Sequence, residues 1–210
     1  FKQKTAYEIA ACLVGSTKTD VVQAARQALR DQVGSFIPAH PIAGREVSGV
    51  EHADAVLYKG CKVILTPTER TLTVHLQKAH DLWTALGCHV THMSPESHDA
   101  AFAAVSHLPH MLAFSLMNSI GAQAQADHFL ALGGPGFRDF TRIAASYPKV
   151  WRDIFVPNRD ELLDQSKIFQ RNLQALELII SIVNTEPLEG LLEQASNTRG
   201  NCSMTSKLNR

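Results

Sequence analysis

The sequence predicts an α/β layer over residues 1–93, followed by an all-helical part over residues 94–210. In the first part, short apolar runs alternate with segments whose apolar residues follow helical spacing, a pattern typical of a largely parallel sheet. In the second part, no run from Ser94 onward has the features of a strand. A chain of 210 residues with 45% hydrophobic residues can bury one large or two small globular cores.

Four apolar runs are the predicted strands of the α/β layer. They cover residues 10–14, 35–39, 61–65 and 88–92, and the predicted helices between them cover residues 19–29 and 70–86. A dinucleotide-binding sheet opens with a strand and a Gly-x-Gly-x-x-Gly turn, and an acidic residue follows about twenty positions later. Because this sequence contains neither feature, we expect a partial Rossmann-like domain that begins in the middle of such a sheet.

The helical part has clear start and stop signals. Ser94 as N-cap and Pro95 at the first helical position predict a helix start. This helix is expected to continue to about Gly121 and to bend near Pro109, since proline removes a backbone donor. Residues 133–136, Gly-Gly-Pro-Gly, are expected to form a loop.

Further helices are expected over residues 137–146, from Pro148 to near Pro157, and over residues 158–183. The last of these has a seam of apolar residues, which packs either within the chain or between subunits. The seam consists of Leu162, Phe169, Leu173, Leu176, Ile180 and Val183. The tail after Ser196 is polar and is expected to fray.

Charge and cysteine content argue against several classes of protein. With 20 basic and 20 acidic residues the formal charge is zero, so no overall field favours nucleic acid or a membrane surface. The longest apolar stretch, residues 108–122, is interrupted by His110 and Asn118, which indicates a packed helix rather than a membrane span. Residues 1–5 lack the pattern of a signal peptide. Four scattered cysteines indicate reduced thiols in the cytoplasm.

Two histidine pairs have a spacing found in zinc sites. His89 and His92, and likewise His107 and His110, are three residues apart. Neither pair has a third ligand close by in the sequence, and no HExxH pattern occurs. We therefore predict no metal site.

Two polar clusters follow predicted strands, at the sheet edge where open α/β sheets bind ligands. Residues 15–18, Gly-Ser-Thr-Lys, offer backbone donors for a polar ligand or, alternatively, a simple helix N-cap. Residues 40–44, His-Pro-Ile-Ala-Gly, place a histidine at a strand end. His40 is there either a general base or a loop histidine bonded to backbone, and Glu46 can supply a charge partner.

A third cluster interrupts an apolar helix. Ser106 and His110 lie four positions apart on one helix face, with His107 beside them. These groups need hydrogen-bond partners if they are buried, so they form either a ligand site or a structural polar network.

Two arginines form a fourth candidate site. Arg138 and Arg142 are four residues apart on one face of a predicted helix, and a guanidinium suits bidentate binding of a carboxylate. The alternative is a surface salt bridge with Asp139 or Asp153.

Six sequence motifs, taken in their order along the chain, resemble the prephenate/arogenate dehydrogenase family of tyrosine biosynthesis. The resemblance extends from about Val14 to Asn172. The motifs are His-Pro-Ile-Ala-Gly (40–44), Tyr-Lys-Gly with Val-Ile-Leu-Thr-Pro-Thr (58–68), Met-Ser-Pro-Glu-Ser-His-Asp (93–99), Val-Ser-His-Leu-Pro-His (105–110), Gly-Phe-Arg-Asp-Phe-Thr-Arg-Ile-Ala (136–144) and Trp-Arg-Asp-Ile (151–154).

The resemblance implies an NAD(P)-dependent oxidative decarboxylation of prephenate or arogenate by a homodimer. It implies that residues 1–93 are the C-terminal part of a dinucleotide-binding domain, and that residues 94–210 form a helical domain for substrate binding and dimerisation. By the same resemblance His40 is the catalytic base, assisted by Ser16. The remaining roles that it implies are substrate binding by Ser106, His107, His110, Arg138, Arg142 and Trp151, cofactor binding by Gly15, Ser16 and Pro41, and an ionic network at the site entrance with Glu46 and Asp139.

The sequence departs from the family pattern at its start. The first βαβ unit with its glycine-rich turn is expected to be missing, and Val14 occupies a position where the family often has an acidic residue. A non-catalytic fragment that dimerises and binds substrate is therefore the main alternative, and a different two-domain dehydrogenase is a further one. The sequence does not decide whether the substrate is prephenate or arogenate, nor whether the cofactor is NAD or NADP.

Overall fold

The computed structural model describes residues 19–43, 54 and 56–202. The predicted strand over residues 10–14 lies outside them. The chain divides into two compact units, one that extends to Leu162 and one that begins at Leu163. The domain boundary expected between residues 93 and 94 stays a prediction.

A three-stranded sheet forms the centre of the α/β part, in the order β1-β2-β3. The strands are β1 (Ala39–Pro41), β2 (Lys62–Leu65) and β3 (His89–His92). Strands β2 and β3 are parallel, whereas β1 and β2 are antiparallel. The prediction of a largely parallel sheet was therefore wrong for the pair β1–β2. A parallel pair needs a crossover connection; helix α2 (Thr73–Ala85) provides one between β2 and β3, whereas the described residues before β2 form a turn.

The segment before β1 also differs from its prediction. Helix α1 (Thr19–Leu29) has the predicted bounds, but a 3-10 helix (Arg30–Ser35) follows it, and the strand begins only at Ala39. Pro38, which has no amide to donate to a strand ladder, precedes this start. Most of the residues that were predicted as strand over 35–39 thus precede β1, although the Pro38 carbonyl accepts a hydrogen bond from the Thr66 amide at 3.0 Å.

The core of the α/β part lies between the sheet and α2. Trp83 of α2 is 2% exposed and packs edge-on against Tyr58, with 5.4 Å between ring centroids. Burial of a large apolar side chain contributes about 1.5–3 kcal/mol. The buried cluster consists of Ile37, Ala39, Val63, Leu65, Trp83 and Cys88. It fixes β1, and therefore His40, against the rest of the sheet.

All described segments after β3 are helical, which confirms the α/β layer followed by an all-α part. The helices are α3 (Pro95–Phe102), a π-helical turn (Ala103–His107), α4 (Leu108–Gly121), α5 (Ala126–Ala131), α6 (Pro135–Thr141), a 3-10 turn (Arg142–Ala145), α7 (Pro148–Phe155), α8 (Arg159–Ser181) and α9 (Thr185–Gly200). The predicted cap of α3 is confirmed, because the Ser94 hydroxyl accepts a hydrogen bond from the Ser97 amide at 3.1 Å.

Three helix boundaries correct the predictions. The interruption expected at Pro109 is a wide π turn that ends just before it, in which the Leu108 amide bonds to the Ala103 carbonyl. Residues 135 and 136 belong to α6 rather than to a loop, because proline suits the first helical position. Of the tail after Ser196, which was expected to fray, residues 197–200 continue α9, and residues 203–210 lie outside the described residues.

One helical stretch, Pro95–Gly121, is long and apolar enough to cross a membrane, with a mean hydropathy of 1.4. Helices that pack inside proteins pass the same test, so this property alone is weak support for a membrane span. Within the stretch, Asp99 is buried and bonded to Thr19, and His107 is buried and in contact with Asn158. These contacts with other elements are typical of a helix that packs inside a folded protein.

Candidate active site

His40 lies on β1 and contacts a second histidine. Its Nδ1 atom is 2.8 Å from Nε2 of His98 on helix α3. His98 is 3% exposed. At this distance one ring donates a hydrogen bond to the other. The structure thus joins the sheet to α3 through two imidazoles.

Asp99 continues this chain of contacts. Its Oδ1 atom is 3.2 Å from Nδ1 of His98, and its Oδ2 atom accepts bonds from the amide and hydroxyl of Thr19 at 2.9 and 2.7 Å. Burial on its own raises the pKa of Asp99, but the hydrogen bonds from His98 and Thr19 together outweigh it. The pKa of Asp99 therefore lies below that of an ordinary aspartate, and the side chain is a carboxylate at neutral pH.

The lowered pKa of Asp99 predicts a loss of stability in acid. A depressed carboxyl pKa stabilises the fold above the unfolded value of about 3.9, and this contribution disappears as pH falls through the folded value. We expect the difference in unfolding free energy between wild type and Asp99→Asn to be steady near neutral pH and to shrink below about pH 4. Urea unfolding over a pH series measures it, with Asp160→Asn at an exposed position as control. A difference that stays constant down to acid pH would contradict the prediction.

Phe102 forms an aromatic wall beside the two histidines. Its ring stacks on His98 with 4.4 Å between centroids and lies 4.6 Å from the ring of His40. Because aromatic contacts restrict ring rotation and exclude water, Phe102 holds both imidazoles in one arrangement.

Asn158 connects the hydrogen bonds of His40, His98 and Asp99 to the third cluster of the sequence analysis, which includes His107. Its Nδ2 atom donates to the Asp99 carbonyl at 2.9 Å and lies 3.1 Å from Nδ1 of His107. Asn158 and His107 are both buried. This contact supports the structural alternative for His107, because a buried polar network of this kind fixes the π turn against the start of α8.

His110 follows His107 by three residues, in the first turn of α4, and has a different environment. Its Nδ1 atom donates to the Ser106 carbonyl at 2.9 Å, and its ring stacks on Trp151 of α7 with 3.5 Å between centroids. Burial lowers the pKa of His110, with the bond to Ser106 opposing part of the effect. His110 is therefore a neutral imidazole at neutral pH, and because Nδ1 carries the proton, Nε2 can accept one hydrogen bond.

The two arginines lie on exposed positions of the same region. Arg138 is on α6, next to Asp139, and Arg142 begins the following 3-10 turn. This turn packs against α4, the helix that carries His110. The structure thus brings Arg142 to the helix of the third cluster.

A cleft lies at the carboxyl ends of β2 and β3, the sheet edge that binds ligands in open α/β folds. Its volume is about 240 Å³, and Thr19, Arg26, Thr68 and Ser94 are among its lining residues. A larger, shallow depression of about 530 Å³ beside residues 124–128 contains none of the groups described above. The smaller cleft lies where α1 and α3 begin, and its charged lining residues are Arg26, Glu69 and Glu96.

Several predicted site residues cannot be placed. Gly15, Ser16 and Glu46 lie outside the described residues, whereas Pro41 is the last residue of β1. Among the residues that the structure describes, no three or more His, Cys, Asp or Glu side chains are grouped to hold a metal ion.

The sequence analysis missed His98, Asp99, Phe102 and Asn158. The first two were part of a quoted motif, and their signal was a pair of adjacent ionisable residues directly before the apolar run of residues 100–105. Asn158 follows Pro157 and has no such local signal.

Comparisons with known proteins agree with these features. A family model described as the nucleotide-binding domain of prephenate dehydrogenase matches residues 4–92, and one described as its dimerization domain matches residues 94–194. The match therefore extends beyond residues 14–172, the range expected from the motifs.

Curated relatives and solved structures give the same result. The chain is 36% identical to prephenate dehydrogenase of Bacillus subtilis over 85% of its own length, and 32% identical to cyclohexadienyl dehydrogenase of Zymomonas mobilis over 83%. It spans 47% and 59% of the lengths of these relatives.

Two solved structures share the fold. One is prephenate dehydrogenase from A. aeolicus in complex with hydroxyphenyl propionate and NAD+, at 40% identity and a TM-score of 0.81, with 88% of this chain and 64% of that chain covered. The other is Synechocystis arogenate dehydrogenase, at 29% identity and a TM-score of 0.77, with 89% and 67% covered.

Proposed function

Because the chain belongs to the prephenate dehydrogenase family, we propose that its protein oxidises prephenate to 4-hydroxyphenylpyruvate with loss of carbon dioxide, a step of tyrosine biosynthesis. The observation that carries this proposal is the position of His40. His40 lies on β1, within the family motif at residues 40–44. It contacts His98, which in turn contacts the buried carboxylate of Asp99. NAD, when bound, would accept the hydride that leaves the substrate.

The proposed role of His40 is that of general base. The substrate hydroxyl gives its proton to the imidazole while a hydride leaves the same ring carbon, and a neutral imidazole near that hydroxyl lowers the barrier. Departure of the ring carboxylate as carbon dioxide leaves an aromatic ring. Aromatisation supplies much of the driving force, so the protein chiefly positions the reacting groups.

The other site residues have proposed roles in binding. His110, Ser106 and Arg142 are assigned to the substrate, Arg142 to one of its two carboxylates. Arg138, His107 and Trp151 are assigned to the same pocket, with Trp151 acting through its stack on His110. Gly15, Ser16 and Pro41 are assigned to the cofactor, and Glu46 and Asp139 to an ionic network at the entrance.

Arogenate is the second candidate substrate. A relative of 29% identity is an arogenate dehydrogenase, and another of 32% identity is a cyclohexadienyl dehydrogenase. NAD is the proposed cofactor because the A. aeolicus relative was solved with NAD+; NADP is the alternative. We place the enzyme in the cytoplasm, in keeping with its scattered cysteines.

An activity assay tests the proposal directly. The full-length protein is given prephenate or arogenate with NAD or NADP, and formation of the reduced cofactor is followed by absorbance. We expect reduction with at least one of the four combinations. A protein that binds cofactor but reduces none of it would support the alternative of a non-catalytic binding fragment.

Dimerisation is the next expected property. Helices α8 and α9 expose several large apolar side chains, and contiguous exposed apolar surface marks protein–protein interfaces. They include Leu163, Ile168, Leu173, Leu178, Ile180, Leu191 and Leu192. We propose that a second copy of the chain covers these side chains.

We expect light scattering to give the mass of a dimer at micromolar concentration, and Leu178→Glu combined with Ile180→Glu to shift it towards a monomer. Two charges in a buried apolar interface lack compensating partners. Asn172→Glu, which adds a charge at a polar exposed position of α8, is the control. A monomer mass for the wild type would refute the prediction.

A further inference from the structure

His98 and Asp99 are buried beside His40, and the proposed reaction assigns a role to neither of them. His98 contacts His40 of β1 on one side and Asp99 of its own helix on the other. Thr19 of α1 and Asn158 hold Asp99 in place. Structural networks also bury polar groups in this way, but this one ends on His40, the residue proposed as the general base.

The directions of the hydrogen bonds follow from Asp99. A carboxylate only accepts, so Nδ1 of His98 must carry the proton that is shared with Oδ1. Neutral His98 then has its lone pair on Nε2, and Nδ1 of His40 must be the donor across the 2.8 Å contact. Neutral His40 consequently has its lone pair on Nε2. The carboxylate thus sets the tautomers of two successive imidazoles.

We propose that His98, oriented by Asp99, is a positioning residue that holds His40 as the tautomer with a protonated Nδ1, so that Nε2 is the atom that accepts the substrate proton. The inference deepens the proposed function and rests on it for its effect on turnover. It assigns to the pair the task that a buried aspartate performs behind the catalytic histidine of serine hydrolases, with one more imidazole in between.

Asp99→Asn is the sharpest test, because Thr19 fixes how the amide turns. The Thr19 backbone amide can only donate, so the asparagine oxygen must face Thr19 and its NH2 group must face His98. His98 then accepts at Nδ1 and donates from Nε2, and His40 accepts at Nδ1 and is protonated at Nε2. The replacement keeps the bond from the Thr19 amide but reverses the two hydrogen bonds that link residues 99, 98 and 40, and it removes the lone pair from Nε2 of His40.

We expect Asp99→Asn to lower kcat by about 100-fold to 10,000-fold, with KM changed little, since the same type of replacement costs about 10⁴-fold in serine proteases. A merely structural role would lower the yield of folded protein without changing the turnover of the folded fraction. Wild-type kcat in folded Asp99→Asn would overturn the proposal.

A matched pair at His98 separates hydrogen bonding from packing. His98→Phe keeps an aromatic ring against Phe102 but cannot accept a bond from His40, whereas the amide oxygen of His98→Gln can accept one. We expect the Gln variant to retain at least about 10-fold more turnover than the Phe variant, and to retain the acidic limb of the pH profile. Equal turnover in the two variants would count against the proposal.

Ring ¹⁵N chemical shifts provide a readout that does not depend on activity. At a pH where the imidazole is neutral, the His40 ring of the wild type should show a protonated Nδ1 and an unprotonated Nε2, and Asp99→Asn should show the reverse. The His40→Asn spectrum assigns the signals. If the wild-type pattern holds but no substrate is turned over, the proposed function fails and the tautomer assignment stands. If His40 has the same tautomer in wild type and Asp99→Asn, the inference itself is wrong.

Discussion

Replacing His40 with asparagine is expected to lower turnover by about 100-fold to 10,000-fold and to affect substrate affinity much less. Asparagine is close to histidine in size, and its amide can still donate a bond to Nε2 of His98, so the local packing is kept. It cannot take up the substrate proton. The loss should therefore appear in kcat, because proton transfer occurs only on the way to the transition state.

The pH profile distinguishes a base from a structural histidine. A general base must be unprotonated, so the turnover of the wild type should rise with pH, and His40→Asn should lose this acidic limb. His89→Asn, at an exposed histidine of β3, is the matched control and should leave kcat and the profile unchanged. A His40→Asn enzyme with near-normal turnover and an unchanged acidic limb would eliminate the assignment of His40 and the mechanism built on it.

Local sequence signals predicted the helices well. Helix α1 has the predicted bounds, and the start of α3 follows from its cap at Ser94, because capping and helical spacing depend on neighbouring residues only. The direction of β1 could not be predicted in this way. Whether two strands run parallel depends on the path of the chain between them, and their short apolar runs are the same in either case.

The same limit of local signals applies to the candidate site. His40 was singled out as a histidine at the carboxyl end of a strand in an open α/β sheet. In the structure it is the middle residue of β1, which is antiparallel to β2, so this rule does not describe its position. Its partner His98 is 58 residues away along the chain, and Asn158 is 59 residues from Asp99. Periodicity carries no information about which distant residues meet, so these partners emerged only when the packing of α3 against β1 and α1 was known.

Helix α3 shows how the fold and the proposed chemistry depend on each other. Its cap at Ser94 starts the helix, and the register then places His98 against His40 and Asp99 against Thr19. A shift of one residue would rotate both side chains by about 100° around the axis. The N-cap and Pro95 therefore help to place the side chains that contact His40 and Thr19.

Replacing Arg142 with alanine is expected to weaken substrate binding by about 2–4 kcal/mol, or about 30-fold to 900-fold in affinity, because a charge-assisted bidentate contact to a carboxylate is lost. Arg142 is exposed and its 3-10 turn packs on α4, so truncation beyond Cβ should disturb the fold little. Prephenate carries two carboxylates, and cations that are already in place lower the cost of binding both.

The effect should appear mainly in KM, with kcat reduced less, since the carboxylate is bound in the ground state and in the transition state alike. Arg142→Lys keeps the charge but loses the planar fork, and its KM should fall between the wild-type and Ala values. Arg171→Ala, at an exposed arginine of α8, is the matched control and should leave KM unchanged. If Arg142→Ala kept its KM while the thermal stability of the protein fell, Arg142 would belong to a structural ion pair, and the carboxylate would have to be bound by another cation, of which Arg138 would be the first to test.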